Sequence, residues 1–359
     1  MKEESEPMSE QKYKTPMLSA EELRKEEILE EMERTRWHRY WNQIKKDWPI
    51  YVMLIPVILF FYFFRYRPIG GILIAFKNYE TYSDTIANSD FYGLYAFRFI
   101  MFGPQANQFW QAFRNTFTLS TYGLFFGFPI PIILALFFSE IKNEAYRSLT
   151  QIITYLPKFI STVVITSIIT LMFASGHGSQ APGLINGFLV NLGVIEAGTP
   201  MLSKPEYFRS VYIISDIWES AGYGSIVYFA AIMAISPTNY EAAKIDGANK
   251  LAQIRYVTLP GMAPTLTIML ILRIGQTLDV GYEKVMLLTA DRGNEVLSTA
   301  EVISTYVLKL GNIGIGSTAG ITTGVNFAAA ADVFNSFIAM FLVLGANFIS
   351  RRVSDTSLF

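Results

Sequence analysis

Residues 115–139 contain no charged side chain, and five more stretches of this 359-residue chain are nearly as bare. A helix needs about 20 mostly apolar residues to cross the ~30 Å hydrocarbon core of a bilayer. Six runs meet that need: 48–64, between Asp47 and Arg65; 115–139; one within 149–173, with Lys158 near its start; about 211–236; about 263–290; and 333–350. Lipid offers no hydrogen bonds to a backbone, so these spans should be helices, and no ten-residue alternation of a membrane barrel appears. Residues 310–331 are also uncharged. Gly311, Gly314, Gly316, Gly320 and Gly324 make that segment a poor helix, and it reads as a loop, with a seventh crossing as the competing reading.

Composition narrows what remains. Charged residues make up 16% of the chain against about 25% in an ordinary soluble domain. Those present crowd into residues 1–48, a charged stretch whose pairs, such as Glu30 with Arg34, suit a solvated helix leading into the first span. Mostly polar residues precede that span, so it is expected to remain as an anchor rather than to act as a cleaved signal peptide. The formal net charge of −1 argues against a nucleic-acid binder. The chain has no cysteine, and its two histidines, His38 and His177, lie far apart, which leaves little to build a metal site from. It contains no internal repeat, nucleophile elbow or phosphate-cradling Gly-x-x-x-x-Gly-Lys, so ATP hydrolysis is not expected of this chain.

Basic residues flanking the spans set orientation. Arg34, Arg36, Arg39, Lys45 and Lys46 crowd the entrance to the first; Lys142 and Arg147 lie in 140–148; Lys244, Lys250 and Arg255 lie in 237–262; Arg351 and Arg352 follow the last. Connections 174–210 and 291–332 are sparser, while 65–114 carries Arg65, Arg67, Lys77, Arg98 and Arg114 and departs from the pattern. The expectation is an all-α multi-pass protein of the cell membrane. It has a cytoplasmic segment 1–47, six spans within 48–350 and a cytoplasmic tail 351–359.

The connection 237–262 is too long and too patterned for a linker. Pro237 presets a helix start. Tyr240, Ala243, Ile245 and Ala248 offer an apolar side, Gly247 permits a turn, and Leu251, Ile254 and Val257 continue a second short helix up to Pro260 and Pro264. A helix–turn–helix at the membrane surface is the physical expectation. Glu241-Ala242-Ala243, then Gly247, then Val257-Thr258-Leu259-Pro260 resembles the EAA loop of ABC importer permeases, with Val257 where that pattern usually has Ile. The resemblance implies the type I importer transmembrane fold. It also implies that Glu241, Ala242, Ala243, Asp246, Gly247, Leu259 and Pro260 couple the chain to a cytoplasmic ATPase dimer, which would bind the ATP and magnesium.

Softer similarity runs along most of the chain. Ile74-Ala75-Phe76-Lys77-Asn78-Tyr79, Tyr155-Leu156-Pro157-Lys158-Phe159-Ile160-Ser161 and Asp216-Ile217-Trp218 resemble the oligo- and polysaccharide branch of carbohydrate permeases. That resemblance implies an oligosaccharide substrate, a second homologous permease subunit and an extracytoplasmic sugar-binding protein. The acidic N-terminus and the Gly-rich 311–331 stretch depart from the pattern.

Intramembrane ionisable residues usually face a wet cavity or the bundle interior. Asp216, Glu219, Ser220 and Tyr223 share one face of the fourth span, and Arg273, Gln276 and Asp279 recur at helical spacing in the fifth, with Glu283 a turn further. These two stripes are the expected substrate path, Arg273 holding an acidic sugar or neutralising Asp279. The same carboxylates keep an ion-coupled secondary transporter open as the alternative.

Overall fold

The computed structural model describes residue 38 and residues 40–79, 85–176, 181–290, 292–312 and 324–353. The N-terminal charge pairs, His177 and residues 313–323 of the Gly-rich stretch lie outside them. Two compact units divide the chain, Met1–Gly70 and Gly71–Phe359. In the first, α1 (Trp48–Phe61) has no buried residue, and its aromatic and aliphatic side chains point outward all round, as lipid requires.

Among the described residues three helices are long and apolar enough to cross a membrane alone, Trp48–Phe76, Ala106–Glu140 and Val325–Arg352, and the count reaches six when each of three bent helix pairs is taken as one span. In the second unit the end of a 3-10 helix (Arg67–Phe76) leads into a two-residue ladder, β1 (Lys77–Asn78) against β2 (Asp90–Phe91), followed by α2 (Tyr95–Phe102). The second span joins α3 (Ala106–Gly127) to α4 (Pro129–Glu140) and begins well before residue 115.

The third run does not form one straight span. α5 (Glu144–Tyr155) and α6 (Thr162–Met172) meet at 101°. Pro157 removes a backbone donor, Ile160 is extended (φ −85°, ψ 140°), and Ser161 caps α6 by accepting from the Val164 N–H. The fourth span is continuous: α7 (Leu184–Asn191) leads to α8 (Pro205–Met233), whose 29 residues reach about 43 Å. A Cβ at Gly222 would sit 2.1 Å from the Thr154 carbonyl, so only glycine lets α8 pass this close to α5.

After the 237–262 connection the fifth run also breaks, between α11 (Ala263–Gly275) and α12 (Tyr282–Thr289). Residues 276–281 are not helical, which corrects the helical spacing expected for Gln276 and Asp279. Freed carbonyls in a membrane need other donors. Here Ser120 donates to Thr277, Asn335 to Leu278 (3.2 Å) and Ser304 to Val280 (2.6 Å). Segments α13 (Leu297–Ala300) and α14 (Ile303–Leu310) are strapped to α3. Fully buried Asn115 donates to the Ser298 and Glu301 carbonyls, both at 3.0 Å, while the Ile303 N–H donates to Thr116 Oγ1 at 2.8 Å. The last helix, α15, runs Val325–Val353, so 325–331 is helix where a loop is expected from the glycines upstream.

The largest apolar cluster joins α3, α6, α8 and α12 through residues such as Leu119, Ile165, Phe208 and Leu288. A second packs α2, α3 and α14 on the start of α15, and a third joins α4 to the lower half of α8.

Candidate functional site

A polar cavity of about 250 Å³ opens where unbroken α8 faces the break in the fifth span. Asp216 and Glu219, three residues apart on α8, supply two of its four carboxylates, the others being Asp279 and Glu283. Lys284, in the first turn of α12, places Nζ 3.0 Å from Glu219 Oε2 and 3.8 Å from Asp216 Oδ1, with only 7% of its side chain exposed. The same ammonium lies 5.4 Å from the centre of the Tyr212 ring. Arg273, in the last turn of α11, approaches Asp216 Oδ2 at 3.8 Å, and Lys158, in the bend of the third span (Leu156–Phe159), approaches Glu219 Oε1 at 3.4 Å. Two carboxylates on one helix therefore meet three cations from three separately positioned segments.

Five of the seven expected path residues line this cavity: Asp216, Glu219, Arg273, Gln276 and Asp279, together with Glu283. Gln276 and Asp279 reach it from irregular backbone rather than from a helix face. Arg273 pairs with Asp216, not with Asp279. Ser220 does not line the cavity; its hydroxyl donates to the Asp216 carbonyl of its own helix at 2.7 Å. Tyr223, also outside the lining, is exposed further along α8, its ring edge-on to Phe159 at 5.9 Å. Lys284 and Lys158 are absent from the expected path. Lys284 was legible as the second cation, with Arg273, of the apolar run 263–290, eleven residues on and so near the same helical face. Among the described residues no group of three His, Cys, Asp or Glu is placed to hold a metal ion.

At the other end of α8 the chain bends by 69° into α9 (Pro237–Ile245). Gly247 takes φ +81°; its N–H donates to the Lys244 carbonyl (3.0 Å), and the Ala248 N–H donates to the Ala243 carbonyl (2.8 Å). These two bonds form a Schellman cap, which favours glycine at this position. Asn249 then accepts from the Ala252 N–H (2.9 Å) and starts α10 (Lys250–Gly261), which holds a π turn over Ile254–Thr258 and meets α11 at 66°. Tyr240 and Thr258 hydroxyls, 3.1 Å apart, tie the two short helices, and Lys250 pairs with Glu140 at the end of α4 at 2.6 Å. Glu241, Ala242, Asp246, Leu259 and Pro260 are exposed and Ala243 is half-buried, whereas Ile245 (87% exposed) and Leu251 (75%) stand out as apolar side chains at the tip. Glu241 borders a second cavity of about 370 Å³ with Tyr240, Lys244 and Glu140.

A helical bundle with a polar cavity inside it and a structured surface loop below defines a membrane transport subunit. Residues 127–280 match the family described as binding-protein-dependent transport system inner membrane component. The chain is 33% identical to protein LplB of Bacillus subtilis over 317 residues, covering 88% of this chain and 92% of that one. It is 34% identical to the polygalacturonan/rhamnogalacturonan transport system permease protein YteP of the same organism over 312 residues, 86% and 90% of the two chains. A chain in the crystal structure of a bacterial ABC transporter that imports the acidic polysaccharide alginate superposes with TM-score 0.73 at 39% identity, covering 88% of this chain and 99% of its own length. A chain of the bacterial alginate ABC transporter in complex with alginate pentasaccharide-bound periplasmic protein superposes with TM-score 0.73 at 39% identity, covering 89% of this chain and 100% of its own length. This chain belongs to the binding-protein-dependent ABC transport permeases, the multi-pass membrane subunits of such systems.

Proposed function

We propose that the chain forms half of the translocation path of an ATP-driven oligosaccharide importer. The cavity between α8 and the broken fifth span contacts the sugar, and residues 237–262 receive the ATPase. One observation carries this reading: a single continuous helix, α8, has the polar cavity on its upper part and leads directly into the Gly247-capped loop at its lower end. Sugar hydroxyls donate to carboxylates, and Gln276 both donates and accepts, so the lining suits a hydroxyl-rich solute. Similarity to a polygalacturonan/rhamnogalacturonan transport permease and to a transporter involved in alginate import supports a carbohydrate substrate.

The partners in this reading are an ATPase dimer that binds ATP and magnesium, a second permease of similar fold, and an extracytoplasmic sugar-binding protein. Both termini and 237–262 face the cytoplasm. The N-terminal segment 1–47 and the tail 351–359 flank the span-bearing region 48–350. Proteoliposomes holding the assembled complex test the substrate. Oligogalacturonate, alginate oligosaccharide and a neutral gluco-oligosaccharide are offered in turn, and Gln276→Ala and Asp279→Asn should change the selectivity among them. Unchanged selectivity in both variants removes the sugar site from this cavity.

A further inference from the structure

The three cations paired with Asp216 and Glu219, of which Arg273 and Lys284 line the cavity, share a property that sugar contact does not require. Each is held by a segment at a break in its span: Lys158 in the bend before α6, Arg273 in the last turn of α11, Lys284 in the first turn of α12. All three converge on two carboxylates of α8, the unbroken helix. Lys158 and Arg273 are half-exposed and stand 3.4 and 3.8 Å from their partners. Lys284 differs: it is buried, stands 3.0 Å from Glu219, and rests on the Tyr212 ring. Residues 276–281 form turns rather than a continued helix, and among the described residues the polar ties from α12 to α8 all run through Lys284, to Glu219, Asp216 and the Tyr212 ring.

We infer that Lys284 is a positioning residue, an ionic latch that holds α12 against α8 while the cavity is empty and through which the permease registers its occupant. The inference rests on the permease reading. Glu219 lines the cavity, so a solute hydroxyl that donates to its carboxylate competes with the Lys284 ammonium for the same oxygens. Occupancy weakens the tie, and α12 gains freedom relative to α8. A ligand shifts such an equilibrium only through differential contacts with its two states, and competition for Glu219 supplies that difference.

The test uses the complete complex in proteoliposomes. Lys284→Gln should raise ATPase activity in the absence of substrate about tenfold, the size of effect expected when a charge-assisted bond is removed from one of two states. Its further stimulation by substrate should shrink toward none. Lys284→Arg should keep wild-type regulation, and Glu219→Gln with Lys284→Gln together should raise basal activity no further than either alone. Because the chain has no cysteine, spin labels at Ile214→Cys on α8 and Tyr282→Cys on α12, both exposed, give a readout independent of turnover. Substrate should broaden their distance distribution in the wild type, and Lys284→Gln should broaden it without substrate. A Lys284→Gln complex with wild-type basal activity, wild-type stimulation and an unchanged distribution overturns the latch. A raised KM as its sole defect overturns it too, leaving Lys284 as a sugar contact. Absence of substrate-stimulated ATPase in the wild type defeats the permease reading instead, so the two failures are distinguishable.

Discussion

Gly247→Ala isolates the backbone contribution to the coupling loop. No atom lies within 4 Å of the position a Cβ would take, so the substitution meets no steric obstacle. What it meets is φ +81°. A left-handed conformation costs a non-glycine residue about 1–2 kcal/mol. Both Schellman bonds, Gly247 to Lys244 and Ala248 to Ala243, depend on it. Taking ~1 kcal/mol as the strain, the loop geometry that meets the ATPase becomes about fivefold rarer. The apparent dissociation constant for the ATPase, measured by titration onto permease in nanodiscs, should rise by about that factor. Gly247→Asn should fall between, because asparagine tolerates this region better. Gly345→Ala, in α15 with open space around it and no positive φ, should leave binding unchanged. Wild-type affinity for Gly247→Ala, or a weaker Asn than Ala variant, would refute the argument.

Asn115→Ala should destabilise the bundle by about 3–5 kcal/mol, read as thermal unfolding in detergent, because it strands two buried carbonyls and the Arg209 guanidinium that donates to Asn115 Oδ1 at 2.9 Å. Tyr306→Phe should be neutral or stabilise by up to about 1 kcal/mol in the same assay. Its hydroxyl is buried without a hydrogen-bond partner, and burial, helped by the Glu301 carboxylate, pushes that phenol up to about 12. Cysteines at Lys250 and at Phe188, both exposed, should label from opposite sides of the membrane, and labelling from the same side overturns the proposed topology.

The long-range pattern of charge was enough to read six spans, because the cost of charge in lipid leaves uncharged runs that length alone identifies. Most of the surface loop was legible: Pro237 starts α9 and Gly247 turns the chain, whereas Pro260, expected to interrupt the second helix, lies inside α10, which runs through a π turn to Gly261. Breaks in the third and fifth spans were not legible. Pro157 marks the first, yet a proline inside a membrane helix is often tolerated. The second depends on donors from Ser120, Ser304 and Asn335, which are far away in sequence and satisfy the freed carbonyls. Lys284, the most buried charge in the cavity, falls near the Arg273 face of an unbroken helix, yet the expected path stopped at Glu283.

The most direct test of the account is accumulation of labelled oligosaccharide in proteoliposomes containing this chain, its partner permease, the ATPase and the binding protein. With ATP on the ATPase side, accumulation should proceed without any ion gradient. Glu241→Lys should abolish it while the complex still assembles and still meets the binding protein. Accumulation that follows a proton or sodium gradient and ignores ATP, or a Glu241→Lys complex that transports at the wild-type rate, would contradict it.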